Sequence, residues 1–120
     1  VADYTPADYS EQKMKKADSD LSLSLARTKD ILKYLGEHKK QGQKIVGFSM
    51  ETENLIENSR KKLEKKNADL ICAKSINGKD TGFGVDTNRV TLISAANTEE
   101  LPLCSKEETA ALILQHIMQL

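Results

Sequence analysis

Two lysines in the middle of the chain have a spacing that suits phosphate binding. Lys62 and Lys66 are four residues apart in a segment with helical periodicity, so they share one face of a predicted helix. Ammonium groups on one face can hold a polyphosphate by neutralising its charge. The alternative is a solvated helix surface on which Glu57 and Glu64 balance the lysines.

A second group of lysines, Lys13, Lys15 and Lys16, lies in a polar stretch without an apolar face. Residues 10–18 show no buried pattern, which predicts a mobile loop. A flexible ammonium group near a phosphate or a developing oxyanion can stabilise a transition state. The alternative is a cluster of solvated charges without a ligand.

An aromatic side chain, Phe48, ends the short apolar run of residues 44–48, which is typical of a buried strand. Ligands of open α/β sheets bind outside the carboxyl ends of the strands. The Phe48 ring is therefore a candidate to flank a base or a ribose. The alternative is an ordinary core phenylalanine.

The residue types and their spacing argue against a glycine-rich phosphate loop, a metal site and a catalytic histidine. The glycines of residues 78–84 do not match the GxxxxGK[ST] phosphate loop, and no helical pattern follows them, so a turn is predicted. Cys72 lies in an apolar run that predicts a buried free thiol, and Cys104 has no neighbouring histidines with which to bind a metal. His38 and His116 fall on separate predicted helices, where surface roles are expected.

The composition is that of a globular domain of 120 residues with 38% hydrophobic and 4% aromatic residues. The 18 basic residues balance 18 acidic ones, so no overall field attracts nucleic acid or an anionic membrane. No apolar run approaches the roughly 20 residues that span a bilayer. With only two cysteines, the chain fits a reducing cytoplasm.

Three helices would carry the candidate residues. Thr28 can cap a helix that runs to about Lys40. Thr52 can cap a second helix over residues 53–66, which holds the paired lysines. The residues Ser105–Glu108 form a capping box that opens the last helix.

Short apolar runs between these helices predict strands at residues 44–48, 69–73 and 90–93. Their alternation with helices predicts an α/β fold with a mainly parallel, Rossmann-like sheet flanked by helices. Leu21, Leu23 and Leu25 alternate with serines, which predicts a strand buried on one face only. That pattern favours an edge strand, an excursion from the main sheet or a dimer contact.

A series of short segments covers nearly the whole chain. They are Ala2-Asp3-Tyr4, Lys13-Met14-Lys15-Lys16, Asp30-Ile31-Leu32, Val46-Gly47-Phe48, Glu51-Thr52-Glu53-Asn54, Lys62-Leu63-Glu64-Lys65-Lys66-Asn67, Asp69-Leu70-Ile71-Cys72-Ala73 and Gly82-Phe83. In this order and spacing they resemble the C-terminal part of the phosphopantothenate–cysteine ligase domain, which bacteria carry alone or fused to a flavin decarboxylase. The resemblance implies that residues 1–120 form a single domain, the C-terminal part of that ligase domain.

The resemblance also implies a reaction and its partners. The family joins 4′-phosphopantothenate to cysteine, and its bacterial members activate the carboxylate with CTP, accompanied by Mg²⁺. An acyl-cytidylate forms and pyrophosphate leaves. The amine of cysteine then attacks the acyl group and CMP leaves. Relatives that use ATP also exist.

The same resemblance assigns roles to individual residues. Lys13 would be the catalytic lysine of a mobile flap, and the homodimer contact would lie near residues 21–25. No protein-bound metal is implied. The implied nucleotide-binding residues are Asp3, Lys13, Lys29, Asp30, Ile31, Leu32, Phe48, Lys62 and Lys66. Residues 29–32 would present backbone groups to the base, and the last two lysines would hold phosphates.

The chain departs from the family pattern at two positions, where Lys29 replaces a common Pro and Lys74 replaces a usual Asn. The family also has a glycine-rich loop and an Asn upstream of these segments. We therefore expect the natural chain to begin before Val1, and the fragment alone not to complete the reaction. A binding-only module that holds a nucleotide or forms dimers is the main alternative, and a nucleic-acid binder is a distant third.

Overall fold

A computed structural model of the protein describes residues 2–16, 18–75 and 87–120. The chain separates into two compact units, Val1–Ile31 and Leu32–Leu120. The predicted glycine turn at residues 78–84 lies outside the described residues.

The first unit is built on a small antiparallel sheet. Strand β1 (Tyr4–Pro6) pairs with β2 (Leu25–Arg27). The Thr28 hydroxyl donates a hydrogen bond to the carbonyl of Ala2 at 2.6 Å, so it fixes the end of this sheet rather than capping a helix. Residues 10–16 contain no helix or strand, in agreement with the predicted loop.

The leucine and serine alternation does not form the predicted strand. Only Leu25 belongs to β2, whereas residues 21–24 have no regular structure. Leu21 and Leu23 are exposed in the chain, with 76% and 60% of their surface accessible. The periodicity of two predicts burial on one face, in an edge strand, an excursion from the sheet or a dimer contact, and within the chain these two side chains are not covered by residues of their own unit.

The second unit contains a four-stranded sheet in the order β3-β4-β6-β7. Its strands are β3 (Val46–Glu51), β4 (Leu70–Ser75), β6 (Val90–Ser94) and β7 (Thr98–Glu100). The short strands β5 (Thr87–Asn88) and β8 (Cys104–Ser105) form a separate antiparallel pair. The three predicted apolar strands are therefore confirmed, and β7 is an additional strand that periodicity did not indicate.

The sheet is mixed rather than mainly parallel. Strands β3 and β4 are parallel, but β4 pairs antiparallel with β6, and β6 pairs antiparallel with β7. A parallel pair needs a crossover of a dozen or more residues, which the helix α2 (Leu55–Lys65) supplies between β3 and β4. Strands β6 and β7 are joined by a tight turn in which the Ser94 N–H donates to the Asn97 carbonyl at 2.9 Å, so the chain must reverse.

Three helices begin and end close to the predicted positions. They are α1 (Ile31–Glu37), α2 (Leu55–Lys65) and α3 (Lys106–Ile117). The capping box of α3 is confirmed, with Ser105 and Glu108 each bonding the other's backbone N–H. The predicted Thr52 cap of α2 is wrong, because Asn54 holds the N-cap position in a left-handed conformation, without a side-chain cap.

Alternate residues of the central strands supply two cores, one on each face of the sheet. Ile71 and Ala73 pack with Leu63 of α2, whereas Leu70 and Cys72 pack with Ile113 of α3. The second unit therefore has three layers, in which α2 covers one face and α3 covers the other. None of the helices in the described ranges has the length and apolar character needed to cross a bilayer.

Candidate functional site

A polar cluster in the second unit surrounds Lys62. Its Nζ donates to Oε1 of Glu51 at 2.6 Å and to Oγ of Ser49 at 3.1 Å. Ser49 and Glu51 alternate along β3, so both side chains lie on the face that α2 covers. The Lys62 side chain retains 43% exposure, which leaves its ammonium group accessible to a ligand.

The Glu51 carboxylate is held from several sides. Ser49 Oγ donates to its Oε1 at 3.0 Å, and Asn58 of α2 donates to its Oε2 at 3.4 Å. The hydrogen bond from Lys62 lowers the pKa of Glu51 and outweighs the opposing effect of burial. Glu51 therefore remains ionised at neutral pH, and the carboxyl end of β3 holds a fixed pair of opposite charges.

Lys66 lies one turn further along the chain, at the C-cap of α2. Its backbone N–H donates to the Lys62 carbonyl at 2.9 Å, which continues the helical pattern to this position. The two lysines thus share a face, as their spacing predicts. Lys66 is partly buried, and its own carbonyl packs against Gly36 at the end of α1.

Phe48 lies on the opposite face of the sheet from Lys62. Its side chain is 72% exposed and lines a cavity of about 520 Å³ between the sheet and α3. Other residues around this cavity are Val46, Cys72, Lys74, Val90, Lys106, Thr109, Ala110, Ile113, Leu114 and Ile117. The structure therefore does not place Phe48 and Lys62 in one pocket. Both lie on or beside β3, which is one of the two edge strands of the described sheet.

The remaining candidate residues belong mainly to the first unit. Asp3 is exposed beside β1, and its carbonyl accepts the Thr28 N–H at 2.9 Å. Lys13 is exposed in the segment without regular structure. Lys29 and Asp30 are exposed ahead of α1, which begins at Ile31.

Leu32, in the second unit, differs from these residues because its side chain is partly buried. It packs against the core that contains Leu63 and Ile71. A β-carbon on Gly47 would lie 2.6 Å from Leu32 Cδ2, so the small residue in β3 makes room for this packing. Any ligand contact of Leu32 is therefore expected through its backbone.

Sequence reasoning missed the partners of Lys62. Ser49 and Glu51 were available as polar residues two positions apart in β3, and Asn58 precedes Lys62 by four positions in α2. Those spacings place each pair on one face. The patterns identify the two faces, but only the packing of α2 on β3 shows that they meet.

Cys72 is buried and reduced, as predicted. Burial raises the pKa of the Cys72 thiol to about 11, so it stays protonated and does not act as a nucleophile at neutral pH. Among residues 2–16, 18–75 and 87–120, no three His, Cys, Asp or Glu side chains are grouped so that they could hold a metal ion.

Curated relatives cover the chain from end to end. It is 47% identical over 121 residues to the "Coenzyme A biosynthesis bifunctional protein CoaBC" of Bacillus subtilis, and 36% identical over 119 residues to the protein of that name from Haemophilus influenzae. It is also 40% identical over 121 residues to a "Cysteine/Cysteine sulfinic acid decarboxylase" from an unknown prokaryotic organism. The chain spans 30% to 34% of the length of these proteins.

Solved structures resemble the fold over much of the chain. A crystal structure of the C-terminal domain of CoaBC matches 79% of this chain and 46% of its own, with a TM-score of 0.68 and 43% identity. The DNA/pantothenate metabolism flavoprotein from Streptococcus pneumoniae matches 99% of this chain and 59% of its own, with a TM-score of 0.74. At 24% identity, the latter likeness concerns the fold alone.

A family model supplies the assignment for the full length. Residues 1–120 match the model described as "DNA/pantothenate metabolism flavoprotein C-terminal domain". The mixed sheet and its flanking helices agree with the fold of the solved relatives. The chain belongs to the family of DNA/pantothenate metabolism flavoprotein C-terminal domains.

Proposed function

We propose that this chain is the nucleotide-binding and catalytic part of a CTP-dependent phosphopantothenate–cysteine ligase that acts in coenzyme A biosynthesis. The observation that carries the proposal is the 47% identity to a coenzyme A biosynthesis protein along the whole chain. The geometry around Lys62 supports it, because an accessible ammonium group stands near the carboxyl end of β3, where ligands of α/β sheets bind.

The proposed reaction has two steps. A carboxylate oxygen of 4′-phosphopantothenate bonds to the α-phosphorus of CTP while the bond to pyrophosphate breaks. The cysteine amine then attacks the acyl carbon of the cytidylate, loses a proton to solvent, and expels CMP. Both steps pass negative charge onto oxygens, so positioned lysines are the groups that would stabilise them.

The phosphate-binding role falls to Lys62 and Lys66, which share one face of α2. Asp3 and the backbone of residues 29–32 are proposed to contact the nucleotide, and Phe48 to contact its base or ribose. Mg²⁺ would arrive with the triphosphate, since Mg²⁺ in such sites commonly binds substrate phosphates and water rather than a full set of protein ligands.

Lys13 is the proposed catalytic lysine. It is exposed in a segment that the structure describes without helix or strand, which suits a flap that orders over the intermediate. Closure of such a flap would exclude water from an activated acid. We assign this reaction to the cytoplasm.

We also propose that the protein is a homodimer and that residues 21–25 form part of the contact. Leu21, Leu23 and Leu25 expose 76%, 60% and 56% of their surface. Three leucines exposed so close together are typical of a surface that another chain covers. Sedimentation of the natural full-length protein tests this point, since Leu21→Ser with Leu23→Ser should shift a dimer toward monomer.

The proposed function is tested with the natural full-length protein, CTP, 4′-phosphopantothenate and cysteine. We expect one CMP and one pyrophosphate for each amide bond formed. We expect the 120-residue chain alone not to complete the reaction. Release of neither CMP nor pyrophosphate by an intact, folded protein would contradict the ligase assignment.

A non-catalytic module that binds a nucleotide or forms dimers is the second candidate. It is favoured by one observation, namely that a protein named as a cysteine or cysteine sulfinic acid decarboxylase is 40% identical along the whole chain. The domain therefore occurs in a relative that is named for a different activity. CTP binding without CMP release by the full-length protein would support this second candidate.

A further inference from the structure

Glu51 is placed to control the position of the Lys62 ammonium group. Oε1 of Glu51 lies 2.6 Å from Nζ of Lys62, and Ser49 Oγ accepts a second hydrogen bond from the same Nζ at 3.1 Å. Lysine is otherwise a long, flexible side chain that loses considerable rotamer freedom when a ligand fixes it. In this protein that ordering is already in place before any ligand arrives.

The carboxylate that holds Lys62 is itself anchored. Glu51 has only 17% of its side chain exposed, and it terminates β3 in register with Ser75 of β4. Asn58 donates one hydrogen bond to Glu51 Oε2 and another to the Glu53 carbonyl at 3.1 Å. Glu51, which holds Lys62, therefore belongs to the sheet, whereas Lys62 belongs to the helix that packs on the sheet.

The number of hydrogen-bond donors leaves room for a ligand. An ammonium group has three N–H donors, and Glu51 and Ser49 accept two of them. Within residues 2–16, 18–75 and 87–120, no other acceptor takes the third N–H of Lys62, so this donor can bond a phosphate oxygen, and the 43% exposure of the side chain gives access to it. The arrangement holds the lysine while keeping one donor for the nucleotide.

We propose that Glu51 is a positioning residue that holds Lys62 in the geometry in which it binds a phosphate of the nucleotide. This inference rests on the proposed function, because it takes Lys62 as a phosphate ligand. The opposite possibility is that Glu51 competes with the phosphate for Lys62. The two differ in sign, since removal of a positioning group weakens nucleotide binding and removal of a competitor strengthens it.

Four variants of the natural full-length protein distinguish the effect of side-chain length at position 51 from the effect of its charge. Glu51→Gln keeps the reach of the side chain and an acceptor oxygen but removes the charge, whereas Glu51→Asp keeps the charge but shortens the reach. Glu51→Ala removes both, and Lys62→Ala removes the ligand-binding group. The matched control is Glu57→Ala. Glu57 pairs with Lys61 at 2.7 Å on the exposed side of α2, the helix that carries Lys62.

The first measurement is the affinity of each variant for CTP, determined by calorimetry. We expect Glu51→Ala and Glu51→Asp to weaken CTP binding about three- to tenfold, the scale of immobilising one flexible side chain. Glu51→Gln should stay within about threefold of the original affinity, and Glu57→Ala should leave it unchanged. The double variant Glu51→Ala/Lys62→Ala should bind no more weakly than Lys62→Ala alone, because the two residues act as one unit.

A kinetic measurement distinguishes positioning from general loss of structure. The KM for CTP should rise in Glu51→Ala while the KM for cysteine stays constant, and each variant should still unfold in one cooperative transition, which shows that it is folded at the assay temperature. If Glu51→Ala fails to fold, Glu51→Asp and Glu51→Gln still give the comparison of reach with charge.

Two results would overturn the inference. The first is unchanged or tighter CTP binding in both Glu51→Ala and Glu51→Asp, which would make Glu51 a bystander or a competitor. The second is an additive loss in the double variant. Unchanged CTP affinity in Lys62→Ala is a different failure, because it would remove Lys62 from the proposed nucleotide site itself.

Discussion

Gly36 at the end of α1 packs directly against the carbonyl oxygen of Lys66 at the end of α2, and a β-carbon on Gly36 would overlap that oxygen. The Asn67 side chain donates to the Gly36 carbonyl at 2.9 Å from a left-handed backbone conformation with φ 51°. This contact fixes the ends of two helices against each other. One of those helices carries the paired lysines.

Gly36→Ala is therefore expected to destabilise the protein. The added methyl group forces a backbone shift, and overpacking of this kind costs about 1–3 kcal/mol. Glu37→Ala is the matched control, because Glu37 is exposed on the same helix and its replacement should change stability by less than about 0.5 kcal/mol. Urea unfolding measures both, and equal midpoints would contradict the close packing.

Asp69 makes stability depend on acid pH. It accepts hydrogen bonds from the Ile45 N–H at 2.7 Å and from Lys39 Nζ at 3.1 Å. Burial raises the pKa of Asp69, but these two contacts outweigh it and hold the pKa below the ordinary 3.8. A carboxyl with a lowered folded pKa stabilises the fold above its unfolded pKa, and that contribution is lost as pH falls through the folded pKa.

Asp69→Asn should consequently lower the free energy of unfolding by about 1–3 kcal/mol at pH 7. The difference between the variant and the original protein should shrink as pH falls below the ordinary pKa of 3.8 and through the lower pKa of Asp69 in the folded protein. Urea unfolding at several pH values tests this, with the exposed Glu64→Gln as control. A difference that persists unchanged at pH 2 would show that the charge of Asp69 is not involved.

Lys66→Ala is expected to weaken CTP binding in the natural full-length protein. A charge-assisted phosphate contact contributes about 1.5–3 kcal/mol, which corresponds to about ten- to hundredfold in affinity. Lys65→Ala is the matched control, because Lys65 is an exposed neighbour that points to a different side of α2. Equal CTP affinities of the two variants would show that Lys66 is an ordinary surface lysine that does not bind the nucleotide.

CTP is expected to bind more tightly than ATP. The motive is the resemblance to CTP-using ligases, which implies that the backbone groups of residues 29–32 present one fixed pattern of donors and acceptors to the base. A pattern that fits the edge of a pyrimidine should fit a purine poorly. Competition calorimetry measures the preference, and equal or tighter binding of ATP would contradict it.

Lys13→Ala separates catalysis from binding. An unstructured lysine contributes little to the ground-state affinity because ordering its segment costs entropy. Once ordered over the intermediate, it would stabilise negative charge, so its loss should lower kcat by about 10²-fold. CTP affinity should change far less, and the acyl-cytidylate should accumulate. Lys15→Ala is the control from the same segment, and parallel losses of affinity and turnover would make Lys13 a phosphate anchor instead.

Part of the fold follows from local patterns in the sequence. The capping box at Ser105 and Glu108 predicts the start of α3, because its hydrogen bonds form between residues three positions apart. The apolar runs that become β3, β4 and β6 are also local, since each must be buried in any compact fold. The shared face of Lys62 and Lys66 follows from helical geometry alone.

The direction of the strands was not determined in this way. A parallel sheet was inferred from alternating helices and strands, yet no helix had been predicted between β4 and β6. A connection for which the sequence predicts no helix suits an antiparallel return, and that clue was present in the sequence. Strand β7 escaped prediction because Thr98–Glu100 is too short and too polar to show periodicity.

The sequence by itself determined which side chains share a helix or strand face, because that depends only on local backbone geometry. Ser49 and Glu51 share a face because they are two positions apart in β3, and Asn58 and Lys62 share one because they are four positions apart in α2. Only the tertiary structure decided that these two faces meet and that α3, rather than α2, covers the face on which Phe48 lies. The reason is physical: contacts between α2 and β3 depend on how two distant segments pack, and packing is a property of the whole core.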